Sequence, residues 1–571
     1  MKKILTLALS LLLGLNATAT ERSEYEMQKI ALGELFGTVT RSAFTPEIEK
    51  VEAGKTYSIY NAKGKGFVVV SSDDAFEPVL GVSYTEYDAE NMPCGFKWWL
   101  SAISTQMEED INNGAVSISK RRAVEKPEPV ESFVMARWGQ NTPYNMKCPF
   151  VSGGRGVTGC AATAMAQIMK YYEYPAKGQG QNTYTIADSK GNILSEHTAN
   201  ITATYDWGNM IANYSLGATA KQKLAVATLM ADCGAASNMV YMPGMSGTSI
   251  EDTGEAFLHH FSYNPISLMH YYKQFYNDDE WTEIVYEELK NKRPILYGGQ
   301  DNLFGGHAFV LDGIDEEGKV HVNWGWDGTA DGFYYLLKLN PNPTGKEYHF
   351  ASGEQMVCGI KVPTANDTDV PVSQWATTKK YSFSNIGNDT LRISIGNMFN
   401  TDLRAFYGDI VVAVENTNGS ADDSMFALLW SSEDAEKEGS EGTVGAGYGF
   451  ILEEDDGSLA NMHLWGMSDE SVKPGTYRLY IMTCGYSEGE YPQYLRAPGG
   501  VIIYTMEKKA DGTLNVYEGD PLETNGIEDV TSAINKKVAG TFNLNGMRLP
   551  SMQKGINIIR MENGETIKVL K

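Results

Sequence analysis

The sequence predicts an α+β protein of several domains: a small α+β module, a central α+β domain, and a β-rich carboxyl-terminal part. Three observations carry this. At 571 residues the chain is long enough for roughly three to four domains of about 150 residues each. Between residues 124 and 362 helix-like stretches come first and β-like runs later, the order of an α+β domain with an antiparallel sheet. From 363 onward short β runs recur between Gly, Asn, Asp and Ser turns without helical period, as in an immunoglobulin-like β-sandwich.

Taken in order, residues 1–19 read as a signal peptide, with Lys2-Lys3, the apolar "ILTLALSLLLGL" and the small-residue pattern Ala17-Thr18-Ala19. This predicts a secreted or cell-surface protein that is periplasmic in transit. No later stretch approaches the roughly 18 apolar residues of a membrane span. Residues 20–123 hold a helix-like "SEYEMQKIALGELFG", two β runs around the Asn61–Gly64 turn, and a helix "CGFKWWLSAISTQMEEDINN". The following "SISKRRAVEKPEPVESF" carries Lys120, Arg121 and Arg122 before a Pro- and Glu-rich run. Such composition marks an exposed linker and a site of proteolytic nicking.

The domain at 124–362 combines helices such as "CAATAMAQIMKYY" and "AKQKLAVATLMADCG" with β runs such as "HAFVLDGI" and "KVHVNWGW". The sandwich spans 363–525. The last piece, 526–571, reads as four strands separated by Asn-Gly and Lys-Gly turns, a small β domain of its own.

With 47 basic against 72 acidic residues the formal charge is −25, which repels phosphate backbones and argues against a nucleic-acid partner. The six cysteines are scattered, without the paired spacing of a disulfide scaffold or of a metal site. Neither a metal nor an organic cofactor is expected.

One cysteine stands at the first turn of a helix, in "VTGCAATAMAQIMKYYEYP". Ala161, Met165, Ile168 and Tyr172 share one helical face, and Tyr174-Pro175 stops the helix. At a helix N-terminus Cys160 meets unsatisfied N–H groups that favour a thiolate. A free thiol is only about 3% ionised at pH 7, so such help matters.

A nucleophile needs a base. His307 lies in "FGGHAFVLDG", where Gly306 lets a ligand backbone approach and a strand follows. His259 and His260 sit in a helix-like stretch, whereas His321, just before "VNWGWDG", stays a rival. Asn323 is the neutral acceptor that would hold the imidazole's second nitrogen, with Trp324 covering the bond. Gln140, in "RWGQNTPYN", offers an amide N–H for an oxyanion beside the backbone N–H of Cys160.

The order Gln140, Cys160, His307, Asn323 is the layout of papain-like cysteine peptidases. The pieces "Q-x-x-PYN" at 140–145, "TGCAATAMAQIMKYY-x-YP" at 158–175, "GGHAFVLDG" at 305–313 and "HVNWGWDG" with "DGFY" at 321–334 resemble streptopain and the C10 family of secreted bacterial cysteine peptidases, including Bacteroidetes members such as interpain. The amino-terminal "GKGFVVVSSDDAFEPVLGVS" and "NMPCGFKWWL" resemble the family's propeptide. The resemblance implies a zymogen whose propeptide holds the histidine out of place until cleavage near 120–126, then a broad endopeptidase acting on proteins and peptides. Its implied catalytic set is Cys160, His307, Asn323 with Trp324, and Gln140. Its substrate-binding loop falls at "YMPGMSGTS", 241–249, which places Ser246 and Gly247 with Gly306 at the substrate, although Gly244 and Met245 depart from the family's usual residues. The carboxyl-terminal "FNLNGMRLPSMQKGINIIR" resembles type IX secretion sorting domains, implying contact with a secretion machinery or the cell surface. The same nucleophile and base would also serve a cysteine acyl transferase. An adhesin on an inactive peptidase scaffold is the third reading, though such a scaffold has no need of all four catalytic residues.

Overall fold

The protein is described by a computed structural model covering residues 21–37, 47–112, 127–188, 190–301, 305–336, 353–365, 367 and, with gaps, 375–570. The expected signal peptide and the basic triplet Lys120–Arg122 lie outside the described residues. The chain forms two compact units. One comprises residues 1–129, 314–322 and 329–338; the other comprises 130–313, 323–328 and 339–571.

In the first unit helix α1, Glu24–Phe36, opens with a capping box in which Ser23 and Glu26 satisfy each other's backbone donors. An antiparallel meander follows, Glu49–Ala53, Tyr57–Ala62, Gly66–Ser71 and Val79–Ser83. Gly66, at φ +117°, is required where the strands meet, because a Cβ there would stand 2.0 Å from Ser83 O. One sheet face packs Tyr60, Val68, Val70 and Val82 on Met27 and Ala31 of α1. The other packs Phe67 against Phe96 of helix α2, Cys94–Asn112, in an edge-to-face contact.

Composition changes near residue 123, but the compact unit does not end there. The short strand Gly332–Tyr334 pairs with Val79–Ser83, and Val320–Asn323 pairs with it in turn. Trp99 of α2 donates its indole N–H to Tyr335 O at 3.0 Å and packs its ring on Tyr334. Strand pairing between distant segments leaves no local compositional mark, which is why the sequence does not reveal it.

The second unit is built around helix α3, Cys160–Tyr172, which Glu173 ends in a left-handed conformation. Every residue from Ala161 to Met169 is buried. The single apolar face expected from the spacing is therefore too modest, and small side chains let neighbours close around the whole helix. Helices α4, Ala220–Ala236, and α5, Ile250–His259, pack on it. The expected antiparallel sheet is present: Met269–Tyr272, Gln355–Cys358, Ile295–Asp301 and Gly305–Ile314 are hydrogen-bonded in that order. Helix α6, Asp278–Lys290, precedes the third of these strands and is capped by Asn277 and Glu280.

Further along this unit, a sheet of Met425–Ser431, Gly408–Asn416, Gly475–Gly485, Tyr504–Lys508 and Leu514–Glu518 shares one core with smaller sheets, through Tyr381, Ile393, Met398, Val412 and Leu479. The four strands expected near the carboxyl end form an antiparallel sheet, with Val538–Asn543 and Ile556–Met561 at its centre. Among the described residues no helix is long and apolar enough to cross a membrane.

Leu403, from the β-rich part, is 3% exposed and belongs to the same apolar cluster as Met230 and Phe257 of the helices. It fills a notch made by Gly254 in α5, where a Cβ would lie 2.7 Å from the leucine methyl. Truncating Leu403→Ala should cost about 2–4 kcal/mol in chemical denaturation. It should also soften the penalty of Gly254→Ala, so the two changes should be non-additive. A Leu403→Ala protein as stable as the parent would contradict this packing.

Candidate active site

Cys160 is the first residue of α3 and follows Gly159, whose φ of +84° turns the chain into the helix. A Cβ at Gly159 would meet the Met239 thioether at 2.6 Å and Ser246 O at 3.1 Å, so only glycine fits. The thiol is partly exposed, and its sulfur accepts the Ala308 N–H at 3.3 Å. Cys160 and the His307 strand thus meet directly.

The His307 ring is 4% exposed and packs against Phe309, with Trp324 and Trp326 flanking it at 6.4 Å between ring centres. Its Nε2 faces the Trp324 carbonyl at 3.3 Å. A carbonyl only accepts, so Nε2 carries the proton and Nδ1 keeps the lone pair that a base needs.

Here the expectation for Asn323 is corrected. Its side chain does not serve as the acceptor described for the ring. Asn323 Oδ1 accepts from Gln167 Nε2 at 2.9 Å and from Gly325 N at 3.1 Å, and its Nδ2 donates to Ala136 O at 2.8 Å. The Gly325 N–H and the Trp324 C=O belong to one trans peptide and point in opposite directions. By holding that N–H, Asn323 aims the carbonyl on its far side at His307. Gly325, at φ +69°, adopts the conformation this turn demands. Trp324 is fully buried and covers the site with its ring on Phe309 at 4.8 Å.

Gln140 is 9% exposed, and its Nε2 has no hydrogen-bond partner. Its backbone carbonyl accepts from Thr158 N at 3.1 Å, which sets the residue beside the turn into Cys160. Asp327 was not singled out from the sequence, yet it pins this loop. Its carboxylate accepts the Tyr144 hydroxyl at 2.6 Å, and its N–H donates to Trp138 O at 3.2 Å. Gly139 leaves room for it, since a Cβ there would lie 2.3 Å from the carboxylate. The left-handed Asp327, at φ +55°, was the available signal, hidden in "GWDG".

The loop at 241–249 closes on itself. Ser246 Oγ accepts from Met242 N at 3.0 Å and donates to Val157 O at 2.8 Å. Gly247 exchanges both backbone bonds with Val240. The polar groups expected to hold substrate therefore shape the loop, leaving Met245, 75% exposed, at its tip. Gly306 is exposed, and a Cβ there would meet only Gly299 O at 3.8 Å, so space is open beside His307. The rival base His321 lies in the other compact unit, with its ring against Phe333.

Burial raises the Cys160 thiol above its ordinary value, against the pull of the Ala308, Ala161 and Cys160 N–H groups. Burial also holds the His307 imidazole down to about 4, with the Trp324 carbonyl opposing. The helix end was expected to favour the thiolate. In this structure burial opposes it, raising the thiol and lowering the imidazole. All six cysteines are free thiols. Among the described residues no group of His, Cys, Asp or Glu is arranged to hold a metal ion.

Residues 138–334 match the model of the Peptidase C10 family, and residues 16–107 match that of the Spi protease inhibitor. Streptopain of Streptococcus pyogenes is 33% identical over 330 residues, which cover 53% of this chain and 81% of the relative. The thiol protease/hemagglutinin PrtT of Porphyromonas gingivalis is 29% identical over 357 residues, covering 59% of this chain. The matched region spans 41% of that relative's length. Among solved structures, a mutant prointerpain A fragment of Prevotella intermedia aligns at 34% identity and TM-score 0.49, covering 56% of this chain and all of its own. Active interpain A of the same organism aligns at 37% identity and TM-score 0.36, covering 41% of this chain and 96% of its own.

A histidine held neutral in the fold stabilises it fully above its unfolded value near 6.5. That contribution is lost as pH falls toward about 4, because the unfolded chain binds the proton more readily. Thermal unfolding of Cys160→Ala and of Cys160→Ala/His307→Leu should therefore diverge between pH 8 and pH 4. The single variant should lose more melting temperature on acidification. Parallel curves would refute the neutral assignment.

Proposed function

Because the chain belongs to the peptidase C10 family of cysteine peptidases and carries an inhibitor-like propeptide, we propose that it is a secreted endopeptidase, made as a zymogen, that cleaves proteins through a covalent acyl-enzyme on Cys160. The observation that carries this reading is the buried, unpartnered amide nitrogen of Gln140. A buried donor without an acceptor costs about 1–3 kcal/mol. That cost is offset when a substrate oxygen arrives, and most fully when the oxygen becomes an oxyanion.

The thiol proton passes to His307 Nδ1 as the sulfur attacks the scissile carbonyl, while Gln140 Nε2 and the Cys160 N–H hold the developing oxyanion. The imidazolium then gives its proton to the leaving amine. Water, deprotonated by the same nitrogen, releases the acyl group and restores the thiol. Throughout, the Trp324 carbonyl keeps Nε2 protonated and the ring oriented. The open space at Gly306 suits the passage of a peptide backbone past the pair, with the 241–249 loop on the Gly159 side. Secretion rests on the residues of 1–19, and a role for the carboxyl-terminal β domain in contact with a secretion machinery rests on its sequence pattern.

Purified proprotein should process itself near residues 120–126 and cleave casein, while Cys160→Ala stays full length and inert. Gln140→Ala should lower kcat by roughly 100- to 1,000-fold with little change in KM. His321→Ala should remain active. Mass spectrometry with a primary amine present should find new peptide termini; amine adducts in their place would make the protein an acyl transferase. Equal activity of wild type and Cys160→Ala would end the assignment.

A further inference from the structure

Gln167 is an anomaly on α3. It lies seven residues after Cys160 on the same helical face, about 10 Å along the axis, and is completely buried among Ala166, Ile168 and Met169. Its Oε1 has no hydrogen-bond partner. A leucine or methionine would fill such a position without leaving a buried oxygen unpaired. What the amide does have is two well-placed donor contacts. Nε2 donates to Ala136 O at 3.0 Å and to Asn323 Oδ1 at 2.9 Å.

Those two acceptors belong to the other two parts of the site. Ala136 begins the stretch that runs through Trp138 and Gly139 to the oxyanion donor Gln140. Asn323 holds the Gly325 N–H and so aims the Trp324 carbonyl at His307. The two acceptors are also joined directly, since Asn323 Nδ2 donates to the same Ala136 carbonyl at 2.8 Å. Between Cys160 and Gln167 on that helical face stands Thr163, whose methyl would lie 3.2 Å from a Cβ on Gly325. Three side chains of one rigid helix thus meet the strand and turn that carry the base and its acceptor.

We propose that Gln167 is a positioning residue for the peptidase reaction: its amide registers the nucleophile's helix against Asn323 and Ala136, and through the Trp324–Gly325 peptide it fixes the His307 ring. It touches neither substrate nor reacting atoms. This inference rests on the peptidase reading for its kinetic consequence, while the orientation of His307 is measurable without turnover.

The test uses the full chain with three variants, Gln167→Met, Gln167→Glu and Asn323→Ala, plus the Gln167→Met/Asn323→Ala double variant. Active sites are titrated with a thiol-directed irreversible inhibitor. Gln167→Met should lower kcat on a fluorogenic peptide by roughly 10- to 100-fold, the scale on which a small misplacement of reacting groups is felt, with KM within about twofold. Because both residues act through one peptide, the double variant should be little worse than Asn323→Ala alone. Gln167→Glu reads out the donor itself. Ionised, it places a charge against two acceptor oxygens; protonated, its O–H can donate again. Its deficit relative to wild type should therefore shrink as pH falls, a response that lost packing would not give.

Independently of activity, the His307 ring signals in isotope-labelled Cys160→Ala protein should shift, and titrate differently, when Gln167→Met is added. If wild type proved inactive, the peptidase reading would fall while this measurement still judged Gln167. A folded Gln167→Met protein with wild-type kcat and unmoved His307 signals would overturn the proposal, as would additive effects in the double variant. Failure of both Gln167 variants to fold would also overturn it, by making the residue structural.

Discussion

The site depends on the direction of one peptide plane. The unit between Trp324 and Gly325 presents its N–H to Asn323 and its carbonyl to His307, and because a trans peptide is rigid the two contacts cannot be set separately. Everything around the plane restrains it. Asn323 is bound on both sides of its amide, by Gln167 and by Ala136. Trp324 is sunk against Phe309, and Gly325 takes a conformation that residues with a side chain resist. A neutral imidazole whose Nε2 proton is held by a backbone carbonyl has one tautomer, which leaves the lone pair on its other nitrogen, as the proposed role of base requires.

A second balance sets the resting charge. A helix N-terminus stabilises an anion by about 0.3–1 kcal/mol, reaching about 2 in partly buried settings. Burial can move an ionisable group by as much as about 3–5 pKa units, each worth about 1.4 kcal/mol. Desolvation is the larger influence on Cys160, whose thiol is raised despite three nearby N–H groups. The N–H groups are not wasted. In the proposed reaction they stand beside the attacking sulfur, and being fixed beforehand they need no reorganisation at that moment.

The candidate nucleophile and base stand out in the sequence because their neighbours constrain them locally, Gly159 at a helix start and glycines before a strand at His307, and the structure brings the Cys160 sulfur to the Ala308 N–H. For Asn323 the residue type says that an amide accepts without saying from which group: its Oδ1 takes the Gln167 amide and the Gly325 N–H in place of the imidazole. The polar groups of Ser246 and Gly247, expected at the substrate, are used in closing their own loop. Gln167 was invisible to periodicity, being one polar residue in a run whose burial on all sides exceeds what an amphipathic pattern implies. The strands at Val320–Asn323 and Gly332–Tyr334 read as β, but the second of them pairs with Val79–Ser83, more than two hundred residues earlier, and long-range pairing is set by packing, not by local composition.

The β-rich part also sets a buried polar group against the helices. Arg496 is 7% exposed and reaches the start of α6, where its guanidinium lies over the Tyr276 ring at 4.1 Å, donates to Phe275 O at 3.0 Å and pairs with Glu280 at 2.5 Å. The Glu280 carboxylate already accepts the Asn277 N–H at 3.1 Å as part of the helix cap. A buried ion pair gains little over apolar packing unless further hydrogen bonds satisfy it; here Arg496 Nε and the Glu280 carboxylate each have one, while Arg496 Nη2 meets Glu280 as an ion pair without a hydrogen bond of its own. Leu403, seated in the Gly254 notch, supplies the apolar half of the same contact. A tethered accessory module would need neither a glycine cut into a helix nor an arginine withdrawn from water. Their presence argues that this β-rich segment folds onto the helical part as a fitted neighbour, with α5 and α6 as the surfaces it reads.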